Sequence, residues 1–257
     1  MKTKLGLIIK ALVEPVRPRQ KFNLVYQVAR VLILFYARVL LRMDILKHEA
    51  LPEGPKIFVA NHPNISDPFL IHLLSRLNVM VIGKAFDTPV TGYLLHKVGE
   101  IPVYPGGDAL AQAIKRLQAG HSIGIFPEGR ESPEHGIAKG RSGAARMALS
   151  TGAYVIPVGI HLDRKRLKAI NFKISGERLP SHIYPRGPYM VTVGKAVRFS
   201  GDPEDRALVS EVTEVIMDQI TTLAYESEMR MEDQAHLPQG VLQMLKRIFS
   251  FKYLGMI

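Results

Sequence analysis

Strand-like and helix-like segments alternate along the middle of the chain, and this alternation constrains the fold more than any other feature. Short apolar runs typical of buried strands occupy 56–60, 78–83, 100–104, 122–126 and 154–160, with further strand candidates at 171–175 and 189–193. Helical patterns fall between them, at 68–75, 89–97, 109–119 and 142–151. Strands that alternate with helices predict an α/β fold with a central, mostly parallel sheet flanked by helices.

The prolines at Pro52 and Pro55 mark a boundary before the first of these strands. They divide the chain into three predicted segments: N-terminal membrane-interface helices at 1–50, an α/β domain at 51–236, and a basic amphipathic tail at 237–257. The domain ends in an acidic helix from Asp202 to about Met231, for which Asp202 and Pro203 are the predicted N-terminal cap.

The first fifty residues predict a helical hairpin with an unusual distribution of charge. A short apolar helix at 5–13 is interrupted by prolines, and a longer helix follows at 22–42. On the longer helix Arg30, Arg38 and Arg42 share one narrow stripe, and apolar residues cover most of the remaining surface. Two interpretations fit: a core helix of the domain, or a helix that lies in the bilayer interface with its arginines at phosphate depth. The tail at 241–254 allows the same two interpretations.

No segment is predicted to cross a membrane, because a spanning helix needs about 20 apolar residues. The apolar run at 31–37 is too short, and the charge-free stretch at 147–162 is interrupted by Gly152 and Pro157. A secretory signal peptide is not expected either, since the apolar run at 5–9 is too short for one.

Composition excludes several classes of function. The chain has 34 Lys and Arg against 23 Asp and Glu, a net charge of +11, which predicts an anionic partner. It has no cysteine, so disulfides, thiol nucleophiles and thiolate zinc sites are excluded. The nine histidines are not spaced as metal ligands, and no metal is expected. No nucleic-acid-binding module is recognisable, so nucleic acid is not an expected partner.

A first polar cluster, NHPNISDP at 61–68, follows a predicted strand and precedes a predicted helix. His62 and Asp67 are five residues apart and would lie about 140° apart on one helix, so they could not meet there. On a turn that curls back, the carboxylate can accept a hydrogen bond from one imidazole nitrogen and make the other a better base. The simpler alternative is that Asp67 caps the helix that begins at Pro68.

A second cluster, IFPEGR at 125–130, also ends a predicted strand. Glycine lets backbone approach a ligand closely, and arginine can hold a phosphate with two hydrogen bonds. Glu128 could orient that arginine or a substrate hydroxyl.

Together the two clusters resemble the glycerolipid acyltransferases, and within them the 1-acylglycerol-3-phosphate acyltransferases. The resemblance rests on a His followed by an Asp after four intervening residues, with Phe-Pro-Glu-Gly about sixty residues later, and it covers roughly 55–200. The stretches GEIPVY at 99–104 and VIPV at 155–158 are similar to two further family motifs. Lys84 and the pair Lys139-Gly140 also stand where the family tends to have them.

The resemblance implies a mechanism and a set of partners. His62 would be the general base and Asp67 would hold its imidazole. An acyl-CoA or acyl-carrier protein would donate a fatty acyl group to a lysophospholipid, most simply 1-acylglycerol-3-phosphate, giving phosphatidic acid without a cofactor. The enzyme would sit on an anionic membrane surface at the cytoplasmic face, as a peripheral or monotopic protein. The residues implied in acceptor binding are Glu128, Gly129 and Arg130, with Lys84 and Lys139 as further phosphate candidates.

Two departures from the family pattern leave the acceptor headgroup open. Tyr104 stands where the second motif usually has arginine, and the third motif reads EGRES at 128–132 without the usual threonine. An acceptor with less phosphate character would need fewer arginines, so another lysolipid or an amino-lipid is an alternative. A non-catalytic, membrane-binding member of the same fold is a second alternative.

Overall fold

A seven-stranded sheet forms the centre of the computed structural model, which describes residues 24–174 and 177–235. The strand order is β1-β9-β6-β2-β5-β3-β4. Two further strands, β7 and β8, form a separate antiparallel ribbon. The strands are β1 (Asp44–Lys47), β2 (Lys56–Ala60), β3 (Asn78–Ile82), β4 (Ile101–Val103), β5 (Ile123–Ile125), β6 (Tyr154–Leu162), β7 (Lys168–Ile174), β8 (Glu177–Ile183) and β9 (Tyr189–Val193).

The five strands β6, β2, β5, β3 and β4 run parallel to one another, which confirms the predicted fold class. Strand β9 pairs antiparallel with β6, and β1 pairs parallel with β9, so these two strands close one side of the sheet in the opposite direction. Every residue of β2 is buried, as expected for a central strand covered on both faces.

Helices cover both faces of the sheet and enclose two large apolar clusters. On one face α1 and α2 pack over Phe58 and Ile156, and on the other α4, α5 and α6 pack over Ile57 and Val155. The helices are α1 (Leu24–Phe35), α2 (Asp67–Leu70), α3 (Pro89–Val98), α4 (Ala109–Gln118), α5 (Gly143–Thr151) and α6 (Arg206–Ala235), joined by shorter helical turns at Tyr36–Leu40, Ile71–Leu73, Gly83–Asp87 and Arg164–Arg166.

Helix α1 leaves much of its apolar surface exposed. It continues into the turn Tyr36–Leu40, and only at that end do Ala37 and Leu41 enter the core. Its exposed apolar stripe consists of Leu24, Val28, Val31, Leu32 and Phe35. Among the described residues, no helix combines the length and apolar character that a bilayer crossing requires. The helix predicted at 5–13 and the tail predicted at 241–254 lie outside the described residues.

Two strands occupy segments where no strand is predicted from the sequence. Strand β1 lies within the range 1–50 that is predicted to be helical, so the sheet already begins before the boundary at Pro52 and Pro55. Strand β8 contains Pro180, which pairs with Asn171 in the ribbon. A two-stranded ribbon has only edge positions, where proline is tolerated.

Helix α6 begins later than predicted, and the expected cap at Asp202 and Pro203 is wrong. The Asp202 side chain accepts a hydrogen bond from Glu204 N (2.9 Å) in a tight turn before the helix. Asp205 caps the helix instead, because its carboxylate accepts from Ala207 N (2.9 Å) and Leu208 N (3.2 Å). The helix then crosses β6 at Gly159, where an added Cβ would lie 2.0 Å from the backbone of Leu223.

Candidate active site

The two polar clusters meet at the carboxyl edge of the sheet. The first follows β2, which ends at Ala60, and the second follows β5, which ends at Ile125. These two strands are parallel neighbours, so the turns that leave them lie side by side. In open α/β sheets this edge is where ligands bind.

His62 and Asp67 form the hydrogen-bonded pair that their spacing suggests. The Nδ1 atom of His62 lies 3.0 Å from Oδ2 of Asp67. The Asp67 side chain is fully buried, and 15% of the His62 side chain remains exposed. Because Nδ1 is engaged by the carboxylate, Nε2 is the nitrogen available to a substrate. The imidazole stacks on Phe126, with ring centroids 4.4 Å apart, which holds its plane.

Asp67 is held by two further hydrogen bonds and is not the cap of helix α2. Its Oδ2 accepts from Asn64 N (2.8 Å), and its Oδ1 accepts from the hydroxyl of Tyr189 (2.6 Å). Burial, together with the charge of Asp67, raises the pKa of Tyr189 well above its ordinary value. Tyr189 therefore keeps its proton and remains a donor to the carboxylate. The cap of α2 is Ser66, and it makes no side-chain capping bond.

Glu128 is directed inward, where it holds the backbone of the turn that carries His62. Its Oε1 accepts from His62 N (3.0 Å) and from the Ser132 hydroxyl (2.6 Å), and its Oε2 accepts from Ala138 N (2.7 Å). Ser132 N in turn donates to His62 O (2.7 Å). The turn after β5 thus holds the turn after β2 through both main-chain groups of His62, its N–H and its carbonyl oxygen.

The cationic candidates divide by position. Arg130 is exposed on the turn that contains Glu128, and Lys139 is exposed on the loop after that turn. Lys84 lies farther away, in the helical turn Gly83–Asp87 that follows β3, two strands from β2. Gly129 has φ +66°, and an added Cβ would lie 2.7 Å from Nε of Arg141. The guanidinium of Arg141 therefore lies directly over Gly129.

Tyr104 packs where it cannot replace the missing arginine. Its ring covers Gly83, where an added Cβ would lie 2.4 Å from the ring carbons. Its hydroxyl donates to Asp87 Oδ1 (2.8 Å). Tyr104 thus closes the turn that carries Lys84 and brings no positive charge to it.

The base of the β7–β8 ribbon joins both clusters. Ile65 N donates to His182 O (3.0 Å), and His182 N donates to Glu131 Oε2 (2.9 Å). Tyr184 N donates to the side chain of Asn64 (3.0 Å). The ribbon is therefore part of the frame of the site.

Several residues that build the site were not predicted from the sequence, namely Tyr189, Ser132, Asn64 and Arg141. Tyr189 lies 122 residues from Asp67, and only the fold brings them together. Ser132 could have been found, since it ends the EGRES motif.

No metal site is found among the described residues. Within 24–174 and 177–235 no three His, Asp or Glu side chains are grouped so that they could hold an ion.

Comparison with known proteins gives a family match for residues 42–161, which fit the family model described as acyltransferase. The matched range contains both clusters.

Two named relatives are similar over part of the chain. The chloroplastic 1-acyl-sn-glycerol-3-phosphate acyltransferase LPAT1 of Arabidopsis thaliana is 29% identical over 43% of this chain. The lyso-ornithine lipid O-acyltransferase of Pseudomonas aeruginosa is 28% identical over 44% of this chain. The alignments span only 33% and 45% of the length of these two relatives.

A solved structure has the same fold. The crystal structure of the 1-acyl-sn-glycerophosphate acyltransferase of Thermotoga maritima superposes with a TM-score of 0.60 at 18% identity. The superposition covers 92% of this chain and 90% of that one, so the likeness extends well beyond the site.

Proposed function

Because residues 42–161 match the acyltransferase family model, we propose that the protein is a lipid O-acyltransferase. It transfers a fatty acyl group from an acyl thioester to the free hydroxyl of a lysophospholipid. The observation that carries the proposal is the His62–Asp67 pair, held at the carboxyl edge beside the Phe-Pro-Glu-Gly turn. The acceptor that the family likeness favours is 1-acylglycerol-3-phosphate, with phosphatidic acid as the product.

In the proposed reaction His62 acts as the general base. Its Nε2 takes the proton of the acceptor hydroxyl while the oxygen attacks the thioester carbonyl carbon. The carbon–sulfur bond then breaks, and the imidazolium returns the proton to the departing thiolate. No acyl-enzyme is needed, in keeping with a chain that has no cysteine. Asp67 stabilises the imidazolium, and Tyr189 and Asn64 keep its carboxylate oriented toward His62.

Glu128 takes a positioning role in this scheme, because its two oxygens already accept protein hydrogen bonds. The acceptor's phosphate instead binds two exposed cations, Arg130 on the same turn and Arg141 over Gly129. Lys139, on the loop between them in sequence, is a further candidate. Lys84 reaches the acceptor only if the lipid extends across to β3. The donor is acyl-CoA or an acylated carrier protein, and no further cofactor takes part.

A second acceptor class is favoured by one observation. Tyr104 fills the place of a phosphate-binding arginine and is engaged with Gly83 and Asp87. An amino-lipid acceptor needs fewer cations at that position, and the similarity to a lyso-ornithine lipid O-acyltransferase points the same way.

The enzyme works at a membrane surface, on the cytoplasmic face. The support is the exposed apolar stripe of α1, in which Val31 and Leu32 are 65% and 63% exposed. An apolar stripe of this size is stable in the interfacial region of a bilayer, where its burial contributes about 25 cal/mol for each Å² removed from water. The acceptor is a membrane lipid and reaches the site along the same surface.

A panel of acceptors tests the proposal. Purified protein is given radiolabelled acyl-CoA or acyl-carrier protein, together with 1-acylglycerol-3-phosphate, a lysophosphatidylethanolamine or a lyso-ornithine lipid. Transfer to 1-acylglycerol-3-phosphate is the expected result. Preference for the ornithine lipid would select the second acceptor class. A protein that binds membranes and transfers to no acceptor would be the non-catalytic member of the fold.

A further inference from the structure

The segment 164–186 concentrates positive charge in one small part of the molecule. It comprises strands β7 and β8 with the turn before them and the residues after them, and we call it the cationic ribbon. It has a single acidic residue, Glu177, and a net charge of +6, more than half of the +11 of the whole chain. Its basic residues are Arg164, Lys165, Arg166, Lys168, Lys173, Arg178 and Arg186.

Much of this charge faces solvent and is not neutralised. Arg164 is half-buried and donates to the carbonyls of Pro133 (2.6 Å) and Gly136, and Arg166 pairs with Asp163 (3.0 Å). The remaining described cations, Lys165, Lys168, Arg178 and Arg186, are exposed. None of these four has an acidic partner within the described part of the chain.

The charge of the ribbon is concentrated on one exposed element and is largely not neutralised within the described residues. Such a concentration of exposed positive charge favours an anionic ligand outside the protein.

The base of the cationic ribbon lies beside the site. It leaves the end of β6, is bonded to the first cluster through His182 O and to the second through Glu131, and β7 contacts the turn Gly83–Asp87 after β3. It therefore spans the carboxyl edge of three neighbouring strands. An anion bound to it would lie next to the catalytic residues.

The ribbon is also bonded to the exposed apolar helix. The hydroxyl of Tyr36 donates to Tyr184 O (2.6 Å), and Gly187 N donates to Leu40 O (3.0 Å). These bonds join the residues just after β8 to the turn that ends α1. The cationic ribbon is thus attached to the helix that carries the apolar stripe.

We infer that the cationic ribbon binds the anionic headgroups of a phospholipid bilayer and thereby turns the mouth of the active site toward the membrane. The inference rests on the proposed function, in which α1 lies in the same bilayer. With the apolar stripe at acyl-chain depth, the ribbon beside it lies at the level of the lipid phosphates. Attachment to the helix that carries the apolar stripe favours a lipid surface over an acidic protein such as an acyl-carrier protein, which would need no apolar helix beside the ribbon.

Vesicle flotation of the full-length protein tests the inference. The triple variant Lys165→Gln, Lys168→Gln and Arg178→Gln removes three exposed cations from the ribbon. A matched control, Lys115→Gln, Lys195→Gln and Arg206→Gln, removes three exposed cations from other parts of the surface. Both are compared with wild type on phosphatidylcholine vesicles with and without one third phosphatidylglycerol.

The ribbon triple should lose affinity for the anionic vesicles only. Each headgroup-contacting cation is worth about fivefold in binding, so the loss should be about a hundredfold, whereas the control should bind as wild type does. Equal losses in the two triples would overturn the inference. So would unchanged flotation of the ribbon triple with slower transfer from acyl-carrier protein, since the ribbon would then be a protein-docking site. Flotation does not depend on turnover, so failure of the proposed reaction would be seen separately.

Discussion

At the scale of single residues, the proposed proton transfer depends on His62. We expect His62→Ala to lower kcat by about 10²–10⁴-fold, the usual contribution of a general base. Asp67→Asn should also reduce the rate severely, because the amide cannot stabilise an imidazolium. His121→Ala, at the opposite end of β5, is the control. A folded His62→Ala protein that keeps more than a tenth of the wild-type rate would contradict the assignment.

Tyr189 should make the stability of the protein depend on alkaline pH. Burial raises the pKa of Tyr189 in the folded state well above 10.0, so below pH 10 both the folded and the unfolded state keep the proton. Above pH 10 the unfolded tyrosine ionises while the folded one does not. The free energy of unfolding should then fall by about 1.4 kcal/mol per pH unit for each such tyrosine.

Urea unfolding between pH 9 and pH 11 measures this effect. Tyr189→Phe should make the fall shallower by the share of one tyrosine. Tyr36 and Tyr184, whose pKa values burial also raises, contribute in the same direction. At pH 7 the same variant should lose about 1–3 kcal/mol, because one oxygen of Asp67 is left without its donor. Identical pH profiles for variant and wild type would show that Tyr189 is not held as described.

Gly129 and Gly136 form a matched pair for testing the acceptor site. Both have positive φ, +66° and +76°, so alanine should cost about 1–2 kcal/mol of stability at either position. A Cβ on Gly129 would displace Arg141, whereas a Cβ on Gly136 meets nothing within 4 Å. We expect only Gly129→Ala to raise the acceptor KM, with the donor KM unchanged. Equal acceptor KM values in the two variants would show that Arg141 takes no part in binding the acceptor.

At the scale of elements, helix α1 should supply the salt-insensitive part of membrane binding. Deleting residues 1–50 would be a poor test, because it also removes β1 from the sheet. The triple variant Val31→Ser, Leu32→Ser and Phe35→Ser keeps the helix and removes part of its apolar stripe. Since full burial of each such side chain is worth about 1.5–3 kcal/mol, flotation with neutral vesicles should weaken at least a hundredfold.

The matched control for this helix lies on α6, which has exposed apolar residues of its own. Val215→Ser, Tyr225→Ser and Met229→Ser remove three side chains that are 40%, 63% and 40% exposed. This triple should float as wild type does. If both triples lost binding equally, the effect would come from general surface hydrophobicity and not from α1.

Elements with a strong local signal could be predicted from the sequence, and those that depend on distant partners could not. Strands β2 and β9 and helices α4 and α5 follow from periodicity and end within a few residues of their predicted bounds. Strand β1 has a mixed sequence and exists because β9, far along the chain, pairs with it. The same contrast holds in the site: the turn from His62 to Asp67 is local, whereas the inward direction of Glu128 depends on groups from three separate segments.

At the scale of the whole molecule, membrane binding should have two separable components. The contribution of the cationic surface is screened by salt, and that of the apolar stripe is not. Raising the ionic strength from about 0.1 M to 1 M shortens the screening length from about 10 Å to 3 Å. Binding to anionic vesicles should therefore fall to the level seen with neutral vesicles and no further. Loss of all binding at high salt would mean that α1 contributes nothing.

Because β2 and β5 lie side by side, the chain between them leaves the catalytic edge and returns to it. The excursion from β3 to α4 forms the outer part of the sheet and presents exposed residues such as Val90 and Tyr93. The hydrogen bond between His62 N and Glu128 Oε1 (3.0 Å) joins the two turns whatever the length of that excursion. The fold thus keeps the turn with His62 separate from the segment between β3 and α4. Exchanging that segment between relatives should change which lipid is accepted and leave the groups proposed to transfer the proton in place.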